Sequence, residues 1–271
     1  MSPSSLLDIV RRTPKNNCGQ CGYPTCLAFA AAVTATGVDH GRCPFLDCAG
    51  LTFAAAPAAV LDELARERDL ALVDHLKTKI AGHDFAAVAG PLGATWSAAQ
   101  PDALIFTYLG QQVSMSKAVL LMNGLAPSDP RDQILLYNYV ERGGGPLPIG
   151  PWIGLESLPN TISKVRTLAV YGEEPLARHL AGLNSGQRQT VAGQLGAQAA
   201  PVAGAALGLI VPVLPRLPLY VIFWGAEPED GFTARVKVLF DEQVLTILDL
   251  ESLVFCAERL AERVAELAAG V

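Results

Sequence analysis

The sequence predicts an α+β protein made of a small metal-binding module and a larger domain in which helices pack on an antiparallel sheet. Three observations predict it. Four of the six cysteines crowd into the stretch from Cys18 to Cys43. Beyond it, strand signals outnumber helix signals and follow one another through short connections, which argues local antiparallel pairing. A capped amphipathic helix then closes the chain. The expected boundaries are 1–50 for the cluster-binding module, 51–82 for a linker and helix, and 83–271 for the α+β domain.

Composition narrows the function classes. Half of the 271 residues are hydrophobic and 17% are charged, a globular balance. The net charge of −6 offers no electrostatic footprint for nucleic acid, and no basic run or helix-turn-helix is visible. The start "MSPSSLLDIVRRTPKNN" lacks the apolar segment of a secretory signal. The uncharged stretch Gln189 to Pro215 is broken by Pro201, Pro212 and Pro215, so it reads as buried core and not as a membrane span. A cytoplasmic, reducing setting is expected, in which clustered thiols serve metals rather than disulfides.

The thiols are spaced Cys18-x2-Cys21-x4-Cys26-x16-Cys43, with Pro44 after the last. A 4Fe–4S cubane takes one thiolate at each of four iron corners, three from a loop that curls round it and one returning from a distance. Gly19 and Gly22 sit where such a loop needs left-handed backbone and free amides. Structural zinc sites use two separate knuckles, and only one C-x2-C is present here. The spacing therefore predicts one 4Fe–4S cluster on Cys18, Cys21, Cys26 and Cys43. His40 and Cys48 lie near enough in sequence to be reserve ligands, but four thiols already fill the shell. "TCLAFAAAVTATG" supplies a helix with Leu27, Ala30, Ala31 and Thr34 on one face and Gly37 as its stop.

"FLDCAGLTFAAAPAAV" reads as a small-residue linker. A helix is expected from Pro57 to Ala81, with Leu61, Leu64, Leu72, Leu76 and Ile80 on its apolar face. "ALIFTYLGQQVSMS" reads as a hairpin around Gly110. "SDPRDQILLYNYVER" is a helix with Asp129 as N-cap, Pro130 in the first position and Gly143 as stop. "GGGPLPIGPWIGLESLPN" lacks the Lys–Ser/Thr of a phosphate loop and reads as a loop ordered by Trp152. "EEPLARHLAGL" is a short helix, "LPLYVIFWG" a buried strand and "ARVKVLF-DEQ-VLTIL" a second hairpin. "DLES" caps the last helix, with Asp249 and Ser252 in its first turn. No catalytic constellation appears: Glu156, Glu173, Asp230, Arg235 and Asp241 flank strands without a spacing that forces them together, and His179 has no partner at ligand spacing. Cys256 lies mid-helix and reads as core.

The string "NCGQCGYPTCLAFAAAVTATGVDHGRCP" resembles the small 4Fe–4S domain of the corrinoid iron–sulfur protein large subunit of the acetyl-CoA pathway. That resemblance covers about the first fifth of the chain. It implies that the four cysteines ligate one cluster passing single electrons at low potential. It also implies a redox partner protein, a corrinoid-dependent methyl-transfer system, with a corrinoid as a further cofactor. "GPWIGLESLPN", "LPRLPLYVIFWG" and "ARVKVLFDEQ" resemble the family named domain of unknown function 3786, which implies no activity. Three readings follow: an electron-transfer protein of anaerobic metabolism, an enzyme whose active site in the α+β domain is fed by the cluster, and a binding module with a structural or redox-sensing cluster.

Overall fold

Helix caps and left-handed glycines punctuate the chain. The computed structural model describes residues 4–53, 58–99, 102–148 and 150–271. The chain divides into two compact units, Met1–Leu70 and Ala71–Val271.

In the smaller unit, Ser5 opens α1 (Leu6–Arg11) through a capping box with Asp8, whose carboxylate accepts the Ser5 N–H at 3.0 Å. Thr25 opens α2 (Cys26–Thr36) by accepting the Ala28 N–H at 3.0 Å, and left-handed Gly37 ends it. The two helices enclose a core of Ile9, Phe29, Ala30 and Val33. Of the face expected from Leu27, Ala30, Ala31 and Thr34 only Ala30 is buried, and Leu27 is 54% exposed. Turning Phe29 and Val33 inward buries more apolar area than the smaller Ala31 and Thr34 could. Nor do residues 45–53 behave as a linker. Leu46, Leu51 and Phe53 pack on the small core, and the Ser4 N–H donates to the Thr52 carbonyl at 2.7 Å.

The chain continues in α3 (Ala58–Ile80). Pro57 and the side chains of Leu61 and Leu64 lie outside the described residues. Further along, Val73, Leu76 and Ile80 are buried while Leu72 is exposed. Asp84 then caps α4 (Phe85–Leu92), a helix not anticipated between the helix ending at Ala81 and the hairpin around Gly110. Its eight-residue apolar run is too short for periodicity to separate helix from buried strand.

A four-stranded antiparallel meander follows: β1 (Thr95–Ser97), β2 (Ala103–Tyr108), β3 (Gln111–Ser116) and β4 (Leu120–Met122). The expected hairpin is β2–β3, and its two turn residues, Leu109 and Gly110, both take positive φ, 49° and 76°. A Cβ on Gly110 would stand 2.1 Å from the Gln194 carbonyl oxygen, so only glycine fits. The helix α5 (Pro130–Arg142) runs from an Asp129 cap to left-handed Gly143, as its sequence predicts.

The second sheet begins with β5 (Trp152–Gly154), where the Trp152 ring meets Tyr220 edge-on. A helical stretch comes next: α6 (Ile162–Leu168), a π-helical turn over Ala169–Glu173, α7 (Glu174–Ala181) and α8 (Ser185–Gln194). The remaining strands are β6 (Gln198–Ala199), β7 (Leu207–Leu214), β8 (Leu217–Trp224) and β9 (Arg235–Asp241), in the order β5-β9-β8-β7-β6, all antiparallel. The class is α+β as expected, with two sheets where one was anticipated. Within Gln189 to Pro215, the core comes from Val191, Ala192, Leu195 and the strand β7. The second hairpin does not form. Asp241 accepts the Gln243 N–H at 2.9 Å and turns the chain into a 3-10 turn over Val244–Thr246, and β5 occupies the place beside β9.

The last helix, α9 (Leu250–Ala268), starts at Asp249, which accepts the Ser252 N–H at 2.9 Å. It packs on α5, α6, the π turn, α7 and α8. Its Arg259 grips buried Asp132 of α5 with two bonds, from Nε at 2.8 Å and Nη2 at 2.9 Å, and Tyr108 donates to the same carboxylate at 2.8 Å. Arg131 adds ion pairs to Asp129, Glu258 and Glu262. A buried carboxylate survives only with such partners.

Candidate metal centre

All four predicted ligand cysteines lie in the smaller unit, each placed by a different local device. Cys18 is exposed, Cys21 and Cys26 are partly buried, and Cys43 is buried at 8%. Cys26 is the first residue of α2, held by the Thr25 cap. Cys43 follows the 3-10 turn His40–Arg42 and packs with the apolar cluster of Ile9 and Phe29, against which Cys21 also rests. His40 is not turned to the thiols as a ligand; its ring stacks on Phe53 at 3.9 Å.

The loop before α2 is where the backbone departs most from ordinary conformations. Lys15, Asn17, Gly19 and Gly22 all take positive φ, at 57°, 49°, 71° and 85°. Left-handed residues among right-handed or extended ones turn successive amides inward and make an anion-binding hollow. Cys26 sits there. Burial raises its thiol, but the Asn17 amide, the Thr13 hydroxyl and the amides of Lys15 and Asn16 outweigh that and hold it below the ordinary thiol range. The loop is locked from the other side by Asn17, whose Oδ1 accepts the Cys26 N–H at 2.9 Å, and by Asn16, whose Oδ1 accepts the Cys18 N–H at 3.3 Å.

The four thiols are not drawn into a closed shell. Among the described residues, no group of three or more Cys, His, Asp or Glu side chains stands ready to hold a metal ion. The fit to an iron–sulfur cluster therefore rests on the donor set and on the amide hollow, both suited to anionic sulfur. Sequence reasoning singled out the glycines and missed Thr13, Lys15, Asn16 and Asn17. A signal was there: two asparagines directly before the first cysteine, the non-glycine residue that best tolerates left-handed backbone.

The remaining thiols and acids that the sequence singled out have plain structural roles. Cys48 is exposed and its Sγ lies 3.8 Å from the Leu46 carbonyl. Cys256 is buried in the larger core, and desolvation pushes its thiol well up. Asp241 accepts the Gly150 N–H at 2.6 Å. Glu156 and Glu173 both face Lys237, at 3.0 and 3.6 Å. His179 lies on α7, partly buried. Asp230 sits in the 3-10 turn after β8. Arg235 lays its guanidinium over the Trp224 ring at 4.4 Å. Among the described residues, no helix is long and apolar enough to cross a membrane.

A cysteine-rich loop followed by an α+β unit of two antiparallel sheets is the setting in which the comparisons place an iron–sulfur protein. A family model described as "Putative Fe-S cluster" matches residues 14–45. The chain belongs to the family described as domain of unknown function DUF3786, whose model matches residues 84–263. The chain is 43% identical over 58 residues to the corrinoid/iron-sulfur protein large subunit of Moorella thermoacetica, a match covering 20% of this chain and 13% of that protein. It is 42% identical over 43 residues to the acetyl-CoA decarbonylase/synthase complex subunit gamma of Methanocaldococcus jannaschii, covering 16% and 9%. The matches thus span only a small part of these curated relatives. No solved structure matches the chain.

Proposed function

We propose that Cys18, Cys21, Cys26 and Cys43 ligate one 4Fe–4S cluster and that the protein passes single electrons at low potential to a partner protein. The observation that carries this reading is the four-cysteine run of cubane spacing, all of it within the smaller unit. When bound, the cluster supplies reversible one-electron chemistry. The chain's own part is to hold and tune it. The amides of Lys15, Asn16 and Asn17 stabilise sulfur charge, Thr25 fixes Cys26 at the start of α2, and exposed Cys18 brings one ligand to the surface where a partner docks. Cys43 comes from the apolar side, which keeps water from that part of the site.

Four thiolates leave the cluster negative in both redox states, and the chain carries a net charge of −6. Both disfavour adding an electron and set the potential low. The matched relatives are named for corrinoid and acetyl-CoA chemistry. That supports an acceptor of the same kind, a corrinoid-dependent methyl-transfer protein of anaerobic one-carbon metabolism. The test is a dithionite titration of anaerobically purified protein, followed by electron paramagnetic resonance with iron and sulfide analysis. About four iron and four sulfide per chain, reduced reversibly at clearly negative potential, is the expected result. Stoichiometric zinc without iron refutes the ligand assignment. A cluster that resists reduction leaves a structural role in place of electron transfer.

A further inference from the structure

The face of the four-stranded sheet that turns away from the core is walled in. Along β2, Leu104, Phe106 and Tyr108 are buried, so Ile105 and Thr107 stand on the opposite face. The register puts Thr95 across from Ile105 and Gln112 across from Thr107, so all four share that face. Two other elements stand beside it. The Leu109 N–H donates to the Val213 carbonyl at 3.1 Å, which ties the β2–β3 turn to β7, and Gly110 lies against the Gln194 carbonyl at the end of α8. Between the sheet face, the α8 end at Gly193 to Gly196, and Pro212 and Pro215 is a cavity of about 710 Å³. Small-molecule sites have that size, about 300–1,000 Å³.

The lining decides what fits. Among the described residues, no charged side chain lines the cavity. Thr95, Thr107, Gln112 and Gln194 do, and none of these side chains has a hydrogen-bond partner among the described residues. Hydroxyls and amides both donate and accept. The C-terminus of α8 reaches the cavity with no basic residue in its last turn, so its negative pole disfavours anions, and no carboxylate is there to hold a cation. Phe106 borders the cavity but is 5% exposed and its ring meets Tyr139, which leaves no aromatic face for a nucleobase to stack on. Gly193 is a second pointer. Left-handed Gly196 stops α8, its N–H bonding the Gly193 carbonyl at 3.0 Å, so the stop does not need glycine at position 193 as well. Inside a helix glycine costs about 1 kcal/mol against alanine. A Cβ at Gly193 would meet nothing within 4 Å, so packing does not require glycine either. What the missing side chain preserves is the cavity.

We propose that this cavity binds a neutral sugar. Sugar hydroxyls both donate and accept, and they meet Thr107 and Gln112 side by side on the sheet wall and Gln194 on the helix wall. Ile105, Pro212 and Pro215 offer apolar surface to the C–H groups of the ring. A phosphorylated or carboxylated sugar of the same size would lose hydration there without finding a counter-charge. The site lies wholly in the larger unit and does not rest on the electron-transfer reading.

The test titrates the full chain, prepared anaerobically, with glucose, galactose, mannose, maltose, cellobiose and lactose, followed by ligand-detected nuclear magnetic resonance. Glucose 6-phosphate and glucuronate are the charged counterparts. A neutral sugar should bind saturably, and the charged counterparts about tenfold more weakly or worse. Gly193→Leu puts a helix-forming side chain into the cavity and should weaken binding about tenfold or more without lowering the melting temperature. Thr107→Val combined with Gln112→Leu removes the hydrogen-bonding pair of the sheet wall and should weaken binding about as much. Should one variant fail to fold, the other decides. No saturable binding by any neutral sugar of the set, equal binding by the charged counterparts, or full binding by either folded variant overturns the proposal.

Discussion

Asn17→Ala should loosen the metal centre without touching a thiol. Asn17 holds φ at 49°, and its Oδ1 accepts the Cys26 N–H at 2.9 Å. Losing that bond costs about 1 kcal/mol net. Left-handed backbone costs an ordinary L residue about 1 kcal/mol more, which asparagine escapes by local hydrogen bonding. The sum, about 2 kcal/mol, corresponds to roughly thirtyfold weaker metal retention, because the centre and its loop form together. Asn17→Gly keeps the left-handed turn and loses only the bond, so it should fall between Ala and the parent. The assay is competition for iron between anaerobically prepared protein and a chelator, with charge-transfer absorbance as the signal. If Asn17→Ala retains iron as well as the parent, the loop does not hold the centre. If Gly is worse than Ala, backbone conformation is not the source of the effect.

Arg259→Ala should destabilise the larger unit by about 3–5 kcal/mol in urea melts, because it strands buried Asp132 with Tyr108 as its remaining partner among those described. The double change Arg259→Met with Asp132→Leu should cost less, and a larger cost would refute the account. Gly110→Ala drives a Cβ into the Gln194 carbonyl and should destabilise the larger unit as strongly as a core truncation, by about 3 kcal/mol or more, read as a lowered melting temperature. Parent-like melting would show that the turn can shift. Cys48→Ser should leave iron content unchanged; loss of iron would move the fourth ligand from Cys43 to Cys48.

What the sequence revealed was local. The Asp129 cap, the Gly143 stop, the Leu109-Gly110 turn and the Gly37 stop are each written within a few neighbouring residues, and the structure has them all. The misses have common physical causes. In α2 only Ala30 of the expected face is buried, because burial there is set by the meeting with Ile9, and in α3 Leu76 and Ile80 are buried as expected while Leu72 is exposed. The helix α4 escaped because eight apolar residues carry no period. The strand expected after β9 became a turn because the distant segment Trp152–Gly154 supplies that neighbour. At the metal centre the ligands were proposed from spacing alone, but the asparagine loop needed the backbone to be seen. Tyr108, Asp132 and Arg259 meet across up to 151 positions (259 − 108), beyond any motif.

The position of α9 sets a timetable for synthesis. It is the last element of the larger unit, yet Leu253, Leu260 and Val264 lie in the middle of that unit's core, and Arg259 neutralises a carboxylate placed more than a hundred residues earlier. A growing chain therefore carries α5 and both sheets with an unfilled core and an unpaired Asp132 until α9 itself has left the ribosome. The smaller unit is under no such constraint, since among its described residues the apolar cluster ends at Phe53. On the proposed function, iron and sulfide can be delivered to the folded smaller unit while the larger one is still being translated. A nascent chain stalled after residue 240 should accept metal and remain a chaperone substrate over the remainder.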